Sequence, residues 1–98
     1  MTDTVNRLCA DIVASCDTAK VILYGTKFTP DGKGIREVNL CLVVREDVKK
    51  AEARLYRCLD SELVFNLLLY SEEDFNTLTA DATSYAHSIM TKGTVLYG

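Results

Sequence analysis

The sequence has one proline, one histidine and no run of like charge. A single imidazole, His87, has no second one to share a metal with, and on its own it reads as a surface or boundary residue of a helix. The four cysteines, Cys9, Cys16, Cys41 and Cys58, form no CxxC pair. They read as reduced, buried, small hydrophobes, not as a zinc site or a disulfide framework. No apolar stretch approaches the roughly 20 residues needed to span a bilayer, so no membrane association is expected. The first residues, MTDTVNRLCADIV, lack the basic-then-apolar pattern of a secretion signal, and a cytoplasmic location is expected. Eleven basic residues stand against fourteen acidic ones, for a formal net charge of -3, so nothing favours a nucleic-acid partner electrostatically.

What is present is enough for one domain with one modest core. The chain has 98 residues, 48% of them hydrophobic and 26% charged, which is an ordinary globular balance. Val5, Leu8, Cys9, Ile12, Val13 and Cys16 recur at helical spacing and predict a helix over about residues 4–16, with Thr2 or Thr4 as its cap. Residues 20–25 (KVILYG) predict a short buried strand closed by glycine. Residues 26–35 hold the only proline and two glycines, and read as a loop. Residues 37–44 (EVNLCLVV) predict a second strand. Val48, Ala51, Leu55, Cys58 and Leu59 mark a helix over about residues 47–59. A third strand is expected over residues 62–70 (ELVFNLLLY). Ser71 with Glu72, Glu73 and Asp74 reads as a capped start that opens only a short turn. Ala82, Tyr85, Ala86, Ile89 and Met90 give the stripe of a last helix over about residues 82–92, ended by Gly93, and residues 94–97 (TVLY) offer a short final strand.

The order is therefore α-β-β-α-β-α-(β), an α/β (α+β) domain with a small mixed sheet and flanking helices. Strands joined by a ten-residue loop pair antiparallel, and strands separated by a full helix pair parallel by a right-handed crossover. This topology brings the end of the first strand, the start of the second and the early part of the third to one sheet edge, so that Gly25, Thr26, Glu37, Asn39 and Asn66 converge.

The run Leu23-Tyr24-Gly25-Thr26, followed after ten residues by Glu37-Val38-Asn39-Leu40, resembles the signature of the DNA polymerase beta-like nucleotidyltransferase superfamily, in particular its minimal nucleotidyltransferases. That signature is an apolar strand ending in Gly-Ser and then Asp-x-Asp in the next strand. Residues 64–75 (VFNLLLYSEEDF) resemble the third strand of that branch and the turn after it, and residues 89–97 (IMTKGTVLY) its final helix and Gly-x-x-Leu-Tyr ending. The four motifs fall in the expected order over about residues 19–98. The resemblance implies magnesium-dependent transfer of a nucleoside monophosphate from ATP. Three carboxylates would hold two magnesium ions, and the Gly-Ser turn would meet the phosphates.

This chain departs from that pattern at the chemistry. Thr26 keeps a hydroxyl, and Lys27 stands where a basic residue can meet phosphate. Glu37 takes the first carboxylate position and is the one candidate metal ligand, whereas Asn39 and Asn66 take the second and third without charge. Arg36 is placed to pair with Glu37, and Pro30 falls where relatives often have a glycine of the phosphate loop. The expectation is a degenerate, inactive nucleotidyltransferase-like domain needing no cofactor and serving as a binding or scaffold domain. The resemblance implies a small helical HEPN-like protein as partner, as in toxin–antitoxin pairs, and a homodimer is the other assembly expected. The alternative is an active enzyme that uses Mg and ATP through Glu37. Between them stands a pocket that still binds nucleotide without turnover. The bland reading of Asn66 and Asn39 is a structural amide pair in a buried strand.

Overall fold

The computed structural model describes residues 2–98. The elements are α1 (Thr2–Ser15), β1 (Thr18–Phe28), β2 (Ile35–Val44), α2 (Val48–Cys58), β3 (Val64–Ser71), α3 (Glu72–Thr79), α4 (Tyr85–Lys92) and β4 (Thr94–Tyr97). They form the expected mixed α+β domain, with one helix more than the sequence suggested. The four-stranded sheet has the order β3-β2-β1-β4. β1 pairs antiparallel with both β2 and β4, and β2 pairs parallel with β3 through the crossover helix α2.

Alternation along the strands gives each sheet face its own core. On one face Val21, Val38, Leu40, Leu42, Leu67 and Leu69 meet α1 and α2. Val5, Leu8, Cys9 and Ile12 make the buried stripe of α1, as their spacing implies, with Cys16 buried just past its end, while α2 contributes only Ala51 and Leu55. On the other face Ile22, Cys41, Val43 and Leu68 meet Phe75 of α3 and Ala86 and Ile89 of α4.

Several boundaries shift from expectation for identifiable reasons. β1 runs on to Phe28, so the loop shrinks to residues 29–34. There Thr29 and Asp31 hold the turn through hydrogen bonds to Gly34 and Lys33, and Gly32 takes a positive φ of 72°. The acidic start at Ser71 opens a full eight-residue helix, not a turn, because the Ser71 hydroxyl accepts the Asp74 N–H at 3.0 Å and Phe75 anchors it on the sheet. α4 begins at its Ser84 cap, so Ala82 lies outside it. Tyr85 and Met90, expected on its apolar stripe, are exposed. Thr4 lies inside α1 and is not its cap; the side chain of Thr2 lies outside the described residues.

Two contacts fix the frame around the sheet. Arg54 of α2 grips Glu46 at 2.8 and 3.2 Å and also donates to the Ser15 carbonyl, while Glu46 accepts the Asp17 N–H. That two-pronged pair ties the exit of α1 to the entry of α2. At the other end Gly93 lets α4 turn directly into β4. A Cβ there would lie 2.5 Å from Ile22 Cγ2 and 2.6 Å from the Ile89 carbonyl.

No helix among the described residues is long and apolar enough to cross a membrane. Cys9, Cys16 and Cys41 are buried, but Cys58, at the end of α2, is exposed, contrary to the reading of all four as core residues. Burial also pushes the Cys41 thiol up to about 12. In the native protein at neutral pH, only the Cys58 thiol should react rapidly with an aromatic disulfide reagent, and all four should react in denaturant. A second fast thiol would contradict this packing.

Candidate functional site

The second sheet face is only half covered. α3 and α4 seal it over Cys41, Val43 and Leu68, but the rows nearer the start of β2 lie outside the helices. Along these open rows the register reads Lys27–Glu37–Val64 and Gly25–Asn39–Asn66. Gly25, Glu37, Asn39 and Asn66 converge as expected, on a shelf of open sheet and not in a closed pocket, whereas Thr26 pairs with Val38 in the row of the opposite face.

A β-bulge sets this alignment. Leu23 pairs with Leu40 but Gly25 pairs with Asn39, so Tyr24 is an extra residue on β1. The shift places glycine, not tyrosine, beside Asn39, and the fit needs glycine: a Cβ on Gly25 would lie 2.6 Å from Asn39 Nδ2. The shift also carries Lys27 opposite Glu37. A second irregularity leaves Arg36 without a partner in the ladder between the pairs Lys27–Glu37 and Phe28–Ile35. Arg36 is exposed and does not pair with Glu37 as its sequence position suggested. Lys27 does, at 3.6 Å.

The polar groups on the shelf satisfy one another. Asn66 Nδ2 donates to Asn39 Oδ1 at 2.9 Å and to Glu37 Oε2 at 3.1 Å. The amide pair is therefore real, but its setting differs from the expected buried strand. Asn66 is exposed, because β3 is an edge strand and its first residues pass beyond the helices. Val64, two residues earlier on the same face, is likewise 54% exposed.

Gly25, Thr26 and Lys27 do not form a turn. They lie within β1 and pair with Asn39, Val38 and Glu37, so there is no concave nest of consecutive N–H groups for a phosphate. Nor do the residues present fit a two-magnesium centre. Glu37 is the one carboxylate on the shelf, and its Oε2 is already met by an amide N–H and an ammonium. Among the described residues no group of three or more His, Cys, Asp or Glu comes together in a geometry for metal.

Beside the shelf, chain adjacency puts Tyr24 at a small cleft of about 140 Å³ lined by Tyr24, Tyr85, Ser88, Ile89 and Lys92. The rings of Tyr24 and Tyr85 meet edge to face, with centroids 6.1 Å apart. Burial, with Tyr85 and Cys41 close by, pushes the Tyr24 phenol from its ordinary 10 up to about 12. The sequence reading missed this cleft; the only signal was Tyr24 next to the motif glycine. A larger cleft, of about 380 Å³, lies between α1 and the α2–β3 connection, with Arg7, Asp11, Asp60 and Glu62 in its lining. It shares no residue with the shelf. His87 is a structural contact: its Nδ1 lies 3.0 Å from the Thr79 carbonyl and joins α4 to α3.

No protein-family model, curated protein or solved structure matches the chain. The likeness to minimal nucleotidyltransferases thus rests on the sequence motifs alone.

Two outcomes follow from this geometry. Gly25→Ala should lower stability by about 1 kcal/mol, by displacing the Asn39 amide from Asn66. In an Asn39→Ala background the same change should become neutral or favourable, since alanine is the better strand residue once space is free; urea denaturation of the four proteins measures the coupling. In an alkaline titration followed at 295 nm, a tyrosine should ionise near 12, and Tyr24→Phe should abolish that step. Because the folded value is raised, Tyr24 contributes stability that is complete below pH 10 and is lost as pH climbs toward 12.

Proposed function

We propose that this chain is a nucleotidyltransferase-like domain without the transfer reaction, acting in the cytoplasm as a binding or scaffold domain for a protein partner. The observation that carries this is the state of the three motif positions. Glu37, Asn39 and Asn66 lie together on adjacent strands, as a three-carboxylate site would require, yet they form a closed hydrogen-bonded set with a single negative charge. A two-metal reaction needs several hard anionic oxygens around each magnesium ion. Here two of the three side chains are neutral amides, and the remaining carboxylate is paired with Lys27.

A partner-binding role fits the surface around the shelf. Val64 at the start of β3, on the shelf face, is 54% exposed, and Tyr85 beside the cleft is 61% exposed. Exposed apolar and aromatic side chains of this kind form the centre of protein interfaces, with polar groups at the rim. The resemblance suggests a small helical HEPN-like protein as the occupant, and a second copy of this chain is the alternative, with no cofactor required.

Calorimetric titration of the purified protein with ATP, in magnesium and again in EDTA, tests the reading. No heat of binding is expected in either buffer. Magnesium-dependent binding, followed by transfer of label from ATP to any acceptor, would establish the active enzyme instead and sink the proposal.

A further inference from the structure

Both groups that meet the surviving carboxylate carry N–H donors. Glu37 Oε2 meets Asn66 Nδ2 at 3.1 Å and Lys27 Nζ at 3.6 Å, and the facing oxygen, Asn39 Oδ1, lies 2.9 Å from the same Asn66 nitrogen. Two oxygens from neighbouring positions of β2 thus converge on one N–H₂ group, with an ammonium at its side. We infer that Lys27 is a tethered cation: its ammonium, together with the Asn66 amide, occupies the place and the charge role of a divalent ion at Glu37, and so keeps the shelf closed to metal. This rests on the reading of Glu37, Asn39 and Asn66 as the former carboxylate positions.

The geometry is particular to nitrogen donors. The arms to Asn66 Nδ2 are N–H···O bonds of 2.9 and 3.1 Å. Magnesium would need oxygens at about 2.1 Å in an octahedral set. The charge balance also closes without a metal, since the one carboxylate and the one ammonium cancel. Lys27 owes its position to the Tyr24 bulge. Continued from the Leu23–Leu40 pair without that extra residue, the ladder would set Thr26 against Glu37 and Tyr24 against Asn39. One backbone irregularity therefore supplies both the counter-charge to Glu37 and the space for the Asn39 amide.

The Lys27 side chain is 62% exposed, so its ion pair adds little to the stability of the fold and its removal should leave the chain folded. Its effect on a divalent ion is different, because a fixed positive charge a few ångströms away opposes a doubly charged ligand directly.

Manganese is the probe, read by loss of the free-ion signal in electron paramagnetic resonance. The wild-type protein should bind none at millimolar manganese. Asn39→Asp with Asn66→Asp should bind weakly, and adding Lys27→Met should tighten that binding by about tenfold or more. Circular dichroism confirms that each variant is folded. If the triple variant does not fold, Asn39→Asp with and without Lys27→Met gives the same comparison at a site less heavily charged. Equal manganese affinity with and without Lys27 would overturn the inference, as would no binding to any folded variant lacking Lys27. The two proposals fail separately: the silent-domain reading falls on label transfer by the wild-type protein, the tethered cation on the affinity ratio of the variants.

Discussion

The strand β2 is the constraint on which the rest of the structure depends. It is paired along both edges, antiparallel with β1 and parallel with β3, and from Leu40 to Val44 it is buried on both faces. A strand in that position can carry no polar side chain without a partner. The run LCLVV satisfies this, with Leu40, Leu42 and Val44 serving the core under α1 and α2, and Cys41 and Val43 the core under α3 and α4. The helices divide between the two faces because β2 must be covered on both.

The cover ends before the strand does. Residues 35–39 of β2 extend past α3 and α4, and there the second face becomes polar: Glu37 and Asn39, flanked by Lys27 and Asn66. Val38, on the opposite face, remains fully buried. The shelf is thus the part of one continuous sheet from which the helices have been withdrawn. Such open sheet is also where unwanted strand pairing would begin, and the exposed edges are modified. The β1 edge carries bulges and Lys27, β4 is four residues long, and on the β3 edge the Leu67 N–H is taken by the Tyr56 hydroxyl at 3.0 Å.

Much of this was readable from residue patterns. The apolar spacing of α1, the alternation at the start of β2, the stop at Gly93 and the parallel crossover all follow from local chemistry and chain connectivity. The gathering of Gly25, Glu37, Asn39 and Asn66 followed from topology alone. What misled was the loop: glycine and proline between residues 26 and 35 suggested irregular chain, yet β1 runs to Phe28 because Gly25, Thr26 and Lys27 each find a partner on β2. Asn66 misled in the opposite sense. Its apolar neighbours suggested burial, but exposure depends on which face the helices leave bare, and that is not written in the strand itself.

The sequence by itself determined the class of fold, the pairing directions and the presence of one carboxylate and two amides at Glu37, Asn39 and Asn66, because these depend on residue type and order. Only the tertiary structure decided that Lys27, not Arg36, answers Glu37, and that one amide nitrogen bridges two oxygens. The physical reason is register. A single extra residue, Tyr24, moves Gly25, Thr26 and Lys27 by one place against β2 until the irregularity at Arg36 restores the register, and the cross-strand contacts follow that shift where spacing along the chain cannot show it.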